Sequence, residues 1–365
     1  MTLPVSADPP RVAVVRDVIS PAPRDVWQAA IAADSLAMPS QSPAWLDAVC
    51  ALSGGSDASR LYDFGSGRFV ILPLVRHRVG GLPVVTAGSY PPSWGFGGLL
   101  APGGATSAEV AAVLARVAAR PALRTFIRPN PLTASLWEAA AERIGPRRLV
   151  TTSRTAHVLD LSGGFDRVWS ERFSSTTRRN VRKAEREGVV ITRDTTGELV
   201  PVYYDLYQHS LVRWAEQQHE PRLLALWRGR RRDSEEKLAG LVSATQGLVN
   251  LWIAWHNNKP AAGILVLQGL HNAHYTRGAM DRDIAAPIRA NELLHRDAIR
   301  AACEAGCLSY QMGETGMSES LARFKEGFGA VAVPYADYTF ERLPRTAVER
   351  QVRGLVKKAI RFRDA

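Results

Sequence analysis

Lys325 stands where a charged group could do chemistry. It lies in Ser318-Glu-Ser-Leu-Ala-Arg-Phe-Lys-Glu-Gly-Phe-Gly329, just after the glycine-bearing loop Gly313-Glu-Thr-Gly316. Only six of the 46 basic residues are lysine. A lysine in so arginine-rich a chain points to a compact ammonium that can stabilise negative charge. The plain alternative is a solvated lysine on a helix surface. A second group is Arg178, Arg179, Arg182, Lys183 and Arg186, within a segment that opens on the hydroxyls of Ser174-Ser-Thr-Thr177 and closes at Gly188. Arg178, Arg182 and Arg186 share one helical stripe, where like charges repel. Cations in the first turn also oppose the helix dipole. A bound phosphate near the N-terminus would offset both; a solvated basic face would need no ligand. Tyr207, Arg213 and Trp214 lie on a third segment, and Tyr275 and Arg277 on a fourth.

Elements must position these groups. Leu308–Met312 reads as a short buried strand, broken by the loop from Gly313 and followed by a helix with Ser318 as its N-cap. Leu321, Phe324 and Phe328 share that helix's apolar side. Val200–Ala215 reads as a helix. Leu248–Trp255 and Ala261–Gln268 read as a hairpin, and Ala273–Ala279 as the next strand. Asp281–Pro287 is expected as a loop, Arg289–Ala305 as a helix, and Arg228–Arg232 as an exposed basic loop or helix end. In the N-terminal half, strands are expected at Arg11–Asp17, Ser59–Phe64, Gly67–His77, Leu123–Arg128 and Leu149–Leu161. Helices are expected at Pro23–Ile31, from Ser42, at Ser107–Ala119 and at Ala134–Ile144. The loop Ala87–Gly104 carries Pro91-Pro-Ser-Trp94, a stiff aromatic wall for an acceptor or a plug at a core edge. Strands alternating with helices predict an α/β (α+β) protein.

Composition sets outer bounds. The 365 residues are 46% hydrophobic and 22% charged, as in globular proteins, and suffice for two ordinary domains. The net charge of +11 suggests an anionic partner, whether nucleic acid, an acidic membrane surface or a phosphorylated small molecule. Three cysteines cannot form a disulfide framework, and no histidine cluster accompanies Cys303 and Cys307, so no metal site is expected. The N-terminus has no signal-like apolar region, and no stretch reaches the ~20 apolar residues of a membrane span, so a cytoplasmic protein is expected.

Arg323-Phe-Lys-Glu-Gly-Phe-Gly329 after Tyr310-Gln-Met-Gly313 resembles the Fem family. These are aminoacyl-tRNA-dependent transferases that build peptidoglycan cross-bridges, within the GNAT acyltransferase superfamily. Phe173–Val189 is similar to the family's basic helix followed by Gly and Val. Ala290-Asn-Glu-Leu-Leu-His-Arg-Asp-Ala-Ile299 is similar to the helix after its donor-binding strand. The resemblance implies two GNAT-like units in tandem, each a mixed twisted sheet flanked by helices. They would span 11–154 and 155–345, after a loose tail at 1–10 and before a basic helix at 346–365. It implies amide formation by attack of an amine on an activated acyl group. Lys325 and Glu314 would be catalytic. Arg178, Arg179, Arg182, Lys183, Arg289, Asn291 and Phe324 would serve the donor and its phosphates. Tyr207, Arg213, Trp214, Tyr275, Arg277, Tyr310 and Trp94 would contact the acceptor, Arg213 through the pattern Ser210-Leu-Val-Arg213 in place of the family's Thr-x-x-Arg.

Two departures bear on the donor and on acid–base chemistry. Where other GNAT enzymes carry a glycine-bearing pyrophosphate loop for coenzyme A, this chain has Ala285-Ala-Pro-Ile-Arg-Ala-Asn291, and Pro287 lacks a donor amide. The family strand end is commonly Tyr-Asp-x-Gly-Gly. Here Gln311, which cannot titrate, replaces the Asp, so that Glu314 would have to take its place or nothing does. No cofactor is expected. The implied partners are aminoacyl-tRNA and a small-molecule or lipid-linked amine such as a peptidoglycan precursor or secondary metabolite, with peripheral contact to an acidic membrane and none to DNA. The alternatives are an acyl-CoA-dependent N-acyltransferase of the CelD/BioF2-like branch, and a non-catalytic accessory protein in nucleic-acid binding or polysaccharide assembly.

Overall fold

The structure is a computed structural model that describes residues 13–78, 85–90, 94–119, 122–144, 149–245, 247–316, 318–359 and 362. The expected tail at 1–10 and the stretch Pro91-Pro-Ser93 lie outside these. Among the described residues the chain is mixed α/β. Its strands, in order, are β1 (Asp17–Ile19), β2 (Ser56–Asp57), β3 (Arg60–Gly65), β4 (Arg68–Leu72), β5 (Val75–Arg78), β6 (Val85–Ser89) and β7 (Arg124–Ile127). There follow β8 (Leu149–Asp160), β9 (Val190–Asp194), β10 (Val249–His256), β11 (Lys259–Gln268), β12 (Asn272–Met280), β13 (Ser309–Glu314) and β14 (Val331–Glu341). β1, β3 and β4 form a small sheet. The other eleven form one mixed sheet in the order β2-β5-β6-β7-β14-β8-β13-β12-β11-β10-β9.

β8 and β14 run antiparallel from Leu149 opposite Phe340 to Val158 opposite Val331 and join the two halves of the sheet. The expected boundary at 154/155 therefore falls inside a strand. Pro334 is tolerated within β14, and β14 extends well beyond the Ala330–Pro334 segment visible as apolar in the sequence. The expected strand Gly67–His77 is two: after β4, Pro73 and Leu74 interrupt the run, and β5 joins the large sheet. The first strand begins only at Asp17, later than expected. The short, mostly polar β9 at the sheet edge and the helices Arg222–Arg232 and Glu235–Ala244 carried no clear periodic signal.

The site depends on how β12 meets β13. They pair in parallel at Asn272–Ser309, Ala273–Tyr310 and His274–Gln311, and the pairing stops there. On its other edge β12 keeps pairing with β11 as far as Met280, with one register slip that leaves Thr276 as a bulge. A bulge adds local twist and re-aims the following side chains, here Arg277. The crossover from β12 to β13 comprises helices Arg282–Ile288 and Ala290–Glu304. The second buries Leu293, Leu294, Ala298 and Ile299. Burying each such aliphatic side chain contributes roughly 1.5–3 kcal/mol, which fixes the crossover over the sheet.

The segment expected as a loop at Asp281–Pro287 is mostly helical. Asp281 caps it, its carboxylate accepting from the amides of Asp283 and Ile284, and the turn ends at Arg289 with φ of 60°.

Candidate active site

Where β12 and β13 part, a cavity of about 280 Å³ opens. Its walls include Tyr275, Thr276, Arg277 and Gly278 from β12, and Met312, Gly313 and Glu314 from β13. Tyr203, Tyr207 and Trp214 come from the helix Val200–Gln218, Arg232 and Asp233 from the end of the next helix, and Lys325 from the helix Glu319–Glu326. The tertiary structure thus brings Tyr207, Trp214, Tyr275, Arg277, Glu314 and Lys325 to one place.

Lys325 is not solvated. It is 1% exposed and is the buried residue of its helix, which Ser318 caps by accepting from the Leu321 amide. Its Nζ donates to the carbonyls of Gly313 (3.0 Å) and Glu314 (2.8 Å) and to Thr315 Oγ1 (3.3 Å). The ammonium's three hydrogens are therefore committed to the loop that ends β13. Burial lowers the Lys325 pKa to about 8, against the upward pull of Glu314. Thr315 Oγ1 also lies 2.7 Å from His157 Nδ1. Burial and the Lys325 charge push the His157 pKa down.

On the opposite wall, Arg277 Nε and Nη2 donate to Asp233 Oδ1 at 3.1 and 2.8 Å, and Arg232 Nε donates to Asp233 Oδ2 at 3.1 Å. Burial alone would raise the Asp233 pKa, but Arg277 and Arg232 hold it low. Arg232 also donates to Tyr207 OH at 2.7 Å, so the expected exposed basic run ends in a cavity wall. Among the described residues that line this cavity, two buried polar atoms have no partner: Arg277 Nη1 and Tyr203 OH. A buried donor left unpaired costs about 1–3 kcal/mol, a penalty that a ligand oxygen would remove.

A second, larger cavity of about 870 Å³ lies against β8 and β14, under the helix Ala134–Ile144. Among the described residues, Glu314 is the one common to the walls of both cavities. Its Oε1 accepts from Tyr335 OH at 2.6 Å and pairs with Arg128 at 3.0 Å, and its Oε2 lies 3.5 Å from Arg154. Asp337 holds both arginines in place, accepting from Arg128 at 2.9 Å and from Arg154 at 3.1 Å.

Other expected site residues stand elsewhere. Arg178 does not face solvent phosphate: its Nη1 donates to the carbonyls of Trp169, Ser170 and Phe173, closing the end of the preceding helix. Arg179 and Arg182 are exposed and Lys183 is half-buried, and none of the three makes an ion pair among the described residues. Arg213 donates to the Met280 carbonyl at 2.9 Å and Ser210 Oγ accepts from the Met280 amide, so this pair clamps the end of β12 rather than lining the cavity. Tyr310 is fully buried, and Trp94 packs edge-on against Trp45 with Lys237 over its ring; neither is among the walls of these two cavities, and both belong to the buried core clusters. Phe324 packs on His295 and Phe328 beneath Lys325. Arg289 is the exposed joint between two helices, and Asn291 donates to Met280 Sδ. Gln311 is fully buried with neither amide atom paired.

Sequence reasoning missed Tyr203, Asp233, Arg128, Arg154 and His157. Tyr203 lies one turn before Tyr207, and Asp233 directly follows the arginine run, so both carried a local hint. The other three are joined to the site only by strand pairing.

Residues 171–326 match the family model described as an acetyltransferase (GNAT) domain. The chain carries a GNAT acyltransferase domain. It is accordingly an enzyme of the transferase class. Among solved structures, FemX aligns with a TM-score of 0.67 at 11% identity, over 91% of this chain and 99% of that one. A conserved protein of unknown function from Bacteroides thetaiotaomicron VPI-5482 aligns with a TM-score of 0.53 at 12% identity, over 87% of this chain and 95% of that one. At these identities the likeness concerns the fold, which is Fem-like along nearly the whole chain. No curated protein matches the sequence. No helix among the described residues is long and apolar enough to cross a membrane.

Proposed function

We propose that this GNAT acyltransferase forms an amide by moving an aminoacyl group from aminoacyl-tRNA to the amine of a peptidoglycan precursor or a secondary-metabolite acceptor. The observation that carries the two-substrate reading is Glu314, the residue common to two cavities on either side of the β13 end. Donor and acceptor would approach from the two sides and react beside it. Backbone at the splay between β12 and β13 would face the carbonyl as it becomes an oxyanion. Lys325 would act by holding Gly313–Thr315 in place and by lending positive charge to the cavity. Glu314, already held by Tyr335 and Arg128, would orient the attacking amine. Arg277 Nη1 and Tyr203 OH would take an oxygen of the substrate.

The donor assignment rests on the crossover. Pyrophosphate binding needs convergent backbone amides at a helix N-terminus. Here, in the first turn of Ala290–Glu304, the Glu292 amide donates to the Arg289 carbonyl at 3.2 Å and the Glu292 carboxylate accepts from Asn180 Nδ2 at 3.0 Å. An anion of the chain itself holds that position. Pro287 and the side chain of Ala290 further limit approach. Exposed Arg179 and Arg182 fit an RNA backbone. The second reading, an acyl-CoA-dependent N-acyltransferase, is favoured by the acetyltransferase description of the matching family.

A donor screen separates the two. The full-length protein is offered charged tRNA or acetyl-CoA with a panel of amines, and amide formation is read by mass spectrometry. Product from charged tRNA alone supports the proposal. Product from acetyl-CoA without tRNA overturns it.

A further inference from the structure

The helix Arg345–Ala359 is amphipathic but attached the wrong way round for a core helix. Val348, Val352, Leu355 and Val356 recur at the i, i+4, i+7, i+8 spacing that makes one apolar stripe. They are 54%, 53%, 69% and 48% exposed. The helix holds to the body by its polar side instead. Arg124 Nη1 donates to Glu349 at 3.2 Å, Arg350 Nη2 donates to Thr152 Oγ1 at 2.9 Å, and the Thr346 amide donates to Glu341 at 3.0 Å. These bonds turn the apolar stripe outward. Ordinary amphipathic helices bury that stripe against the core, so the arrangement leaves a continuous apolar strip in water.

We infer that this helix is a docking surface for an anionic lipid bilayer. From Arg345 onward the sequence holds seven basic residues and two acidic ones, Glu349 and Asp364. An aliphatic stripe on a helix rich in cations is the combination that lies in the lipid interface, its apolar side among acyl chains and exposed cations such as Arg353 reaching anionic headgroups. Three features choose lipid over other occupants. A second copy would bring an equally cationic helix against this one. Four aliphatic side chains also fall well short of the roughly 1,200–2,000 Å² that a stable protein interface buries. RNA is bound through cations and stacking aromatics, whereas the exposed stripe is aliphatic. Docking here would hold the enzyme at a bilayer without a membrane span. The inference does not depend on which donor or acceptor the active site takes.

Vesicle co-sedimentation of the full chain tests it. Vesicles of phosphatidylcholine alone are compared with vesicles containing phosphatidylglycerol, at low and at physiological salt. Because a protein of charge +11 can adhere to anionic vesicles through charge alone, the deciding variant is Val352→Ser with Leu355→Ser, which leaves every charge in place. The wild type is expected to bind phosphatidylglycerol vesicles, and the double variant to partition at least about tenfold less, since two partly buried aliphatic chains are lost. Thermal melting of the variant should stay close to the wild type, because Val352 and Leu355 are exposed and belong to none of the buried clusters among the described residues. Equal binding by wild type and variant overturns the inference, as does absence of binding to phosphatidylglycerol. A dimer in light scattering that the double variant abolishes would assign the stripe to a second copy. Binding to single-stranded RNA that the same variant weakens would assign it to nucleic acid. Either result also overturns the lipid assignment.

Discussion

Replacing Lys325 with methionine separates its structural from its chemical contribution. The side chain is buried, and a pKa of about 8 in place of 10.5 means that the fold penalises its charge by roughly 3 kcal/mol. Methionine removes that penalty and fills most of the same volume. It also strands the Gly313 and Glu314 carbonyls, at about 1–3 kcal/mol each. The two effects nearly cancel, so stability should change by no more than about 3 kcal/mol. Turnover should fall about 10²–10³-fold, the scale of a lost electrostatic stabiliser, because the segment bearing Glu314 loses its anchor and the cavity its charge. The pH dependence gives an independent check. Folded protein releases the Lys325 proton near pH 8 and the unfolded chain near 10.5. Between those values the unfolded state binds more protons, so stability rises with pH through this window. The rise is absent below about 8 and complete above 10.5. In Lys325→Met the contribution vanishes, and the difference between wild-type and variant urea-unfolding free energies should shift accordingly from pH 7.5 to 10. A variant with wild-type turnover refutes the active-site role. A difference that does not vary with pH refutes the buried, charge-penalised lysine.

Further substitutions test other parts of the site and fold. Asp233→Asn leaves Arg277 and Arg232 partly uncompensated, and should cost about 3–5 kcal/mol of stability in denaturant titration, because Asp233 and Arg277 are a buried pair. Arg179→Gln with Arg182→Gln should flatten the salt dependence of RNA binding by about two phosphate contacts, with melting unchanged. Arg178→Gln should instead lower the melting temperature and leave that slope intact, since its partners are backbone carbonyls. Gly329 has φ of 84°, and a Cβ there would sit 2.6 Å from the Arg172 carbonyl. Gly329→Ala should therefore destabilise by more than the ~1–2 kcal/mol of a left-handed residue alone. Acetyl-CoA should give no low-micromolar heat in calorimetry, and Glu292→Gln should not create such binding, because Pro287 and Ala290 still block the turn.

Short-range features were readable from the residues. Ser318 caps the helix it was expected to cap, and Ser174 proves to be the cap among the hydroxyls of Ser174–Thr177, because an N-cap bond spans three residues and needs nothing distant. The hairpin β10–β11 follows from its two apolar runs and its Asn257-Asn258 turn, both residues at positive φ. Asp281–Pro287 misled because the proline suggests a break, whereas the Asp281 cap and the alanines support a short helix through Pro287. Arg178 misled for another reason. Its place on the stripe is set by sequence, but whether it faces a ligand or the carbonyls of Trp169, Ser170 and Phe173 depends on where the preceding helix ends.

The sequence by itself determined the mixed α/β class, the segment containing Lys325, and the chemical types that crowd β12 and its flanking helix. These rest on local periodicity, caps and turn residues, which act over a few positions. Only the tertiary structure decided that Lys325 is buried, that Asp233 occupies Arg277, and that Glu314 stands between two cavities beside Arg128 and Arg154. Those facts arise where β13 pairs with β8 and parts from β12, between segments as much as 209 residues apart in the chain. Periodicity says which face of a strand is apolar. It does not say which strand lies beside it, and at this site the neighbour decides which charges meet.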